Sequence, residues 1–230
     1  MAKSNTAVSI QLTADSANDA LPAHLQAVEG AGRGNENVGN AVTIPRLKLL
    51  QKMNNEVDKH HGDYIDGCDV GDFINNLTKQ NYGGFVYALS LHFNNEYAVW
   101  RDIKKGGGYG GTFSNLADAN EYISKQELPD EWSADETHGH VLLLKDPTTG
   151  ELSKTPIVMD FAKSKLRVSK AWNSQIAMKG GDRFAGLWKI AGVSTENKSG
   201  QTFMNADVSW VGWAVEQDYK QAEAMYEQFA

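Results

Sequence analysis

The chain has 230 residues, 41% of them hydrophobic, with six Trp, eight Tyr and eight Phe and a formal net charge of −7. That length and apolar content suffice for a packed core without covalent staples, and the single cysteine, Cys68, excludes an internal disulfide framework and a cysteine-only metal site. No window approaches the roughly 20 apolar residues of a membrane-spanning helix, and the first residues lack the apolar block of a signal peptide, so a soluble protein of a reducing, intracellular compartment is expected.

Residues 1–40 contain no aromatic side chain and are rich in Ala, Asn, Ser and Gly. So little apolar surface cannot offset the entropy of ordering, which predicts a mobile N-terminal segment. Gly30-Ala-Gly-Arg-Gly34 matches no phosphate-loop pattern and reads as linker. A folded domain is expected over 41–215. It opens on the apolar anchors Ile44, Leu47, Leu49 and Leu50, with Pro45 pushing Ile44 toward an extended backbone. Gly62–Gly67 and Asp69–Asp72 read as short pieces broken by turns. His60 and His61 diverge on either a strand or a helix, and no third metal ligand stands near them.

Phe85 to Phe93 alternates strictly, with Phe85, Tyr87, Leu89, Leu91 and Phe93 on one face of a strand. Asn94-Asn95-Glu96 is turn material and predicts a hairpin returning through Tyr97–Arg101. Lys104-Lys-Gly-Gly-Gly-Tyr-Gly-Gly111 predicts a mobile loop that either closes over an extended ligand, with Tyr109 stacking on it, or simply joins two strands. Ser114–Lys125 predicts a helix capped by Ser114 with Leu116, Ala119 and Ile123 on one side. Glu127–Thr137 reads as an acidic surface loop. His140–Leu144 and Thr155–Phe161 read as strands joined across the turn Asp146-Pro-Thr-Thr-Gly150. His138-Gly-His140 has chelating spacing on a strand, but such residues are common at hairpin mouths, and that reading is preferred.

From Lys163 to Lys189 the chain carries seven basic side chains and one acid, Asp182; this net +6 leaves −13 on the remainder. A basic island in an acidic chain points to an anionic partner, phosphate most commonly, the plainer alternative being a solvated helix face. At helical spacing Lys163, Arg167, Lys170 and Ser174 align on one side, and Val168, Trp172 and Ile176 on another. Such a helix would dock by its apolar side with its cations outward. Gly186–Val193 and Thr202–Val215 predict a second hairpin over Asn197-Lys-Ser-Gly200. Residues 216–230 predict an acidic helix or tail with Tyr219, Ala222, Tyr226 and Phe229 on one side.

About six short strands in hairpins, with a helix between strand pairs, predict a mainly β fold with added helices. An OB-like five-stranded barrel or a strongly curled antiparallel sheet with insertions fits that count. The chain has no nucleophile elbow, paired-carboxylate motif, metal-binding His/Glu helix or Walker loop, and Asp160 and Asp182 are poor support for a Mg²⁺ site. No enzyme, metal or cofactor is therefore expected. What remains are cations interleaved with rings: Lys and Arg can follow phosphates while rings accept unpaired bases, each stack contributing about 1–3 kcal/mol. Trp100, Trp188 and the aromatics of 203–213 are assigned to the core, Tyr109 and Trp172 to the surface. The candidate nucleic-acid contacts are Arg101, Lys104, Lys105, Tyr109, Lys163, Lys165, Arg167, Lys170, Trp172, Lys179, Arg183 and Lys189.

Three stretches resemble the single-stranded-DNA-binding proteins of tailed bacteriophages: Val42–Gln51, Tyr97–Arg101 with its Gly-rich loop, and Ser164-Lys-Leu-Arg-Val-Ser-Lys-Ala-Trp-Asn-Ser174. The later Trp188…Asn197-Lys-Ser-Gly200…Val211-Gly-Trp213 pattern is similar too. The resemblance covers about 40–215, and Lys-Ala-Trp-Asn-Ser is its most specific part. It implies an OB-like fold and sequence-tolerant protection of single-stranded DNA during replication or recombination, in the cytoplasm of an infected bacterium. Such proteins often end in an acidic tail with a terminal aromatic that recruits replication or recombination proteins; here the ending is only mildly acidic and Phe229 is penultimate. A homo-oligomer is compatible with either this reading or the alternative, a virion or scaffold protein whose aromatic hairpins make subunit contacts.

Overall fold

The computed structural model describes residues 44–229, so the expectations for residues 1–40, including the Gly30–Gly34 linker, lie outside the described residues. The fold is mainly β. A small antiparallel sheet holds β1 (Leu47–Leu49), β2 (Phe73–Asn75) and β3 (Asn81–Gly83) in that order. A larger antiparallel sheet is built from β4 (Phe85–Arg101), β5 (Tyr109–Phe113), β6 (Trp132–Lys145), β7 (Ile157–Ala162), β8 (Gly186–Glu196) and β9 (Thr202–Trp213). It runs β7-β6-β4-β8-β9, with β5 also paired to β4. Three helices complete the described residues: α1 (Leu116–Ser124), α2 (Leu166–Lys179) and α3 (Glu216–Phe229).

The larger sheet does not close into a barrel among the described residues, because β7 and β9 do not pair. The β1 region touches both: Arg46 forms a parallel bridge with Val158, and the Gln51 side-chain amide donates to the Met204 carbonyl and accepts from its N–H, both at 2.9 Å. One face of the sheet is covered by β1, β2 and α2, burying Leu47, Leu49, Phe73, Val86, Leu142, Met159, Phe161, Trp172, Trp188 and Ile190. The other face packs Leu89, Leu91 and Leu143 against Phe184 and against Ala222, Tyr219 and Met225 of α3. Asp218 of α3 is ion-paired with Lys145, and Gln221 donates to the Leu152 and Ser153 carbonyls.

Several sequence expectations require correction. Asn94-Asn95-Glu96 forms no turn; β4 is one strand of 17 residues, since β6 pairs it continuously and matches Asn94, Asn95 and Glu96 to Gly139, His138 and Thr137. Pairing along a long partner overrides local turn preference. A bulge between Ser90 and His92 then breaks the alternation, so Phe93 leaves the side of Leu89 and meets His138 and His140. Glu127–Thr137 is not wholly a loop, because β6 begins at Trp132. Asn115 rather than Ser114 caps α1, accepting from the Asp118 N–H at 2.9 Å. The 146–150 turn, the β8–β9 hairpin and the terminal helix α3 form where the sequence puts them.

Candidate nucleic-acid interface

The apolar spacing of α2 does what its periodicity dictates: Val168, Trp172 and Ile176 pack into the core. That overturns the surface assignment of Trp172, which has 0% exposure and stacks flat on His140 at 4.3 Å and 6°. A ring with no accessible face cannot accept a base. The same inward turn of the helix brings Ser169 to β6, where alternation sends His138 and His140 to one side. Ser169 Oγ lies 2.8 Å from His138 Nδ1 and 2.7 Å from His140 Nε2.

Donor chemistry fixes both ends of this buried chain. A guanidinium only donates, so His140 Nδ1 accepts from Arg183 at 3.1 Å, and His140 carries its hydrogen on Nε2 and donates it to Ser169. The Ser169 hydroxyl is then free to donate to His138 Nδ1, and His138 Nε2 donates to Glu136 at 3.1 Å. Burial, reinforced by Arg183 and His138, pushes the His140 pKa down to about 2, so the ring is neutral. The chelating spacing thus serves a hydroxyl bridge, and among the described residues no group of three or more His, Cys, Asp or Glu is placed to hold a metal.

The cations of the basic block have different fates. Arg183 is drawn inside, donating to Ser90, Asn173 and His140, and burial lowers its pKa to about 10. Lys165 is half-buried and its pKa is lowered by burial, against a smaller opposing pull from Asp160. Lys179 lies over the Trp210 ring at 4.2 Å and Lys189 over Phe85 at 4.4 Å. Lys163, which turns the chain from β7 toward α2 at φ 53°, stands 3.4 Å from Asp135, and Lys170 stands 3.3 Å from Glu136. Arg167 is exposed and has no carboxylate partner among the described residues. The expected ridge is therefore interrupted: only Lys163, Arg167 and Lys170 share an exposed side of the α2 region, and two of these are paired.

A second group forms where β4 extends beyond the cover of α3. Trp100 is matched to Tyr109 on β5 and to Ser133 on β6. The two rings lie 4.8 Å apart at 43°, and they are 46% and 57% exposed. This corrects the assignment of Trp100 to the core. α3 covers the same face only as far as His92, on which Tyr226 stacks at 4.5 Å, and Trp100 lies farther along the strand. Trp213, also expected in the core, is 57% exposed at the end of β9.

The connection from Trp100 to Tyr109 carries exposed Ile103, Lys104 and Lys105 in a single 3-10 turn, with the Asp102 carboxylate accepting from the Lys104 N–H at 2.9 Å. Neither lysine has a carboxylate partner among the described residues. Arg101 does: it makes two hydrogen bonds to Glu131, at 2.9 and 2.6 Å. Gly106 ends the turn at φ 103°, a left-handed conformation that favours glycine. The opposite face is braced by α1. A Cβ on Gly110 would come within 2.7 Å of the Tyr122 ring and 2.9 Å of Val99. Tyr109 therefore begins a paired strand, and the Gly-rich segment joins β4 to β5. Asp135, which holds Lys163, lies two residues along β6 from Ser133, so Lys163 reaches the Trp100 face about 7 Å away along the strand.

No curated protein and no solved structure matches the chain. A family described as Pam3 phage gp34-like protein matches residues 14–230, which is nearly the whole sequence. The molecule with an exposed Trp100–Tyr109 pair and a partly neutralised basic helix is thus a phage protein, and it belongs to the Pam3 phage gp34-like family.

Proposed function

We propose that this phage protein binds single-stranded DNA with little sequence preference and protects it during replication or recombination. The contact is made by the exposed end of the β4–β5–β6 region and the adjoining outer side of α2. The observation that carries the reading is the solvent-facing Trp100–Tyr109 pair beside Lys104 and Lys105. Two exposed rings next to unpaired cations suit bases and phosphates on one strand, and rings accept any base.

The order of elements supports an OB-like reading of the larger sheet. A three-strand meander, β4-β6-β7, is followed by α2 and then by a hairpin whose first strand, β8, returns beside β4. In that architecture the connection between the first two strands and the turn of the last hairpin are the ligand loops. Here the first holds Lys104, Lys105 and Tyr109, and the second holds Lys198.

The charge count sets the expected salt dependence. If the phosphates are met by Lys104, Lys105 and Arg167, the unpaired cations of the β4–β5 connection and the outer side of α2, log K should fall by about 2 per tenfold salt, or about 20-fold between about 50 and 200 mM. Five phosphate contacts along an unbroken ridge would give a slope of about 3.5 instead. Fluorescence anisotropy of labelled oligo-dT over a salt series tests both the binding and its slope. Absence of binding at low salt would end this reading.

A further inference from the structure

Lys163 and Lys170 are held by adjacent residues of one strand, Asp135 and Glu136, which alternation sends to opposite faces of β6. These two are the longest Lys or Arg ion pairs among the described residues. Lys48–Glu56 and Arg101–Glu131 close to 2.7 and 2.6 Å, with the acid largely buried. The pairs to Lys163 and Lys170 are open at 3.4 and 3.3 Å, and the lysine side chains are 77% and 59% exposed. Exposed pairs at this separation contribute little and exchange readily. Glu136 has a second tether, the hydrogen bond from His138, so it stays in position when its lysine leaves.

We propose that Asp135 and Glu136 are built-in competitors for phosphate: they hold Lys163 and Lys170 in the free protein, and a bound DNA backbone takes both cations from them. The proposal rests on the DNA-binding reading above and adds its regulation. In the free protein the two acids cancel two charges of the basic block, which weakens attraction to polyanions at large. On the bound strand the same acids stand beside phosphate and oppose it, so binding is weaker than the basic residues alone would make it. Their removal leaves three unpaired cations, Arg167 and Lys170 on the α2 side and Lys163 reaching the face of Trp100 and Tyr109.

The test is oligo-dT anisotropy with the full chain carrying Asp135→Asn and Glu136→Gln, which keep an acceptor for His138. Two additional cations at about 0.7 each should raise the salt slope from about 2 to about 3.5, and affinity at about 50 mM salt should rise at least about tenfold. Adding Lys163→Ala and Lys170→Ala to that variant should cancel the gain. If the double variant does not fold, as judged by circular dichroism, Asp135→Asn alone leaves the His138–Glu136 contact intact and should raise the slope by about 0.7. Wild-type binding with the same slope and affinity in the folded variants overturns this inference while the DNA-binding reading stands. Failure of wild type and variants alike to bind at low salt overturns both.

Discussion

Replacing His140 with glutamine should remove most of the mild-acid sensitivity of this fold. The ring is buried against Trp172, accepts from Arg183 and donates to Ser169, and its pKa in the folded chain is pushed down to about 2. In the unfolded chain an imidazole titrates near 6.5. Above about pH 6.5 neither state takes the proton, and the contribution of the neutral ring is fully present. Below it the unfolded chain binds a proton that the folded chain refuses, so stability falls with falling pH, down toward the folded value of about 2. At about pH 5 the gap is about 1.5 pH units, or about 2 kcal/mol lost relative to pH 8. Glu56 and Glu136 also have lowered values, but their contributions are lost only below about pH 4.5, so they do not mask the histidine between about pH 5 and 6.5. Urea unfolding followed by tryptophan emission at about pH 8, 6.5 and 5 reads the difference. His140→Gln should be less stable at pH 8 by about 1–3 kcal/mol and nearly flat down to pH 5. Equal pH slopes in the two proteins would refute the reasoning.

Trp100→Ala should leave the melting temperature almost unchanged and weaken oligo-dT binding by about 1–3 kcal/mol, since the ring is exposed. Trp172→Ala should do the reverse, costing about 3–5 kcal/mol of stability by denaturant unfolding, because the side chain is wholly buried between His140, Phe161 and Trp188. Gly110→Ala should destabilise by about 1–3 kcal/mol in the same assay, since its methyl would meet Tyr122 and Val99 across a braced sheet. The Tyr219 pKa is raised to about 12, chiefly by its hydrogen bond to Asp182. Ultraviolet titration should therefore show one tyrosine fewer ionised near pH 11 than in Asp182→Asn.

Elements whose signal is local were legible in the chain alone. The apolar side of α2 is legible in Val168, Trp172 and Ile176, the β8–β9 hairpin in its Asn197–Gly200 turn, and α3 in Tyr219 and Ala222, because spacing alone tells which side chains share a face. The same spacing says nothing about which face meets water. Trp100 adjoins Arg101 and Trp172 lies two residues from Lys170, yet a helix packed on β6 buries Trp172, and α3, ending its cover near His92, leaves Trp100 exposed. Ion pairs were equally hidden, since Lys163 and Asp135, or Lys170 and Glu136, are far apart in the chain and meet only because β6 and β7 pair and α2 follows. The tertiary fold alone decided the length of β4, the bulge that turns Phe93 toward the histidines, and which cations stay unpaired. Each depends on long-range partners whose contribution exceeds the local preference of the residues involved.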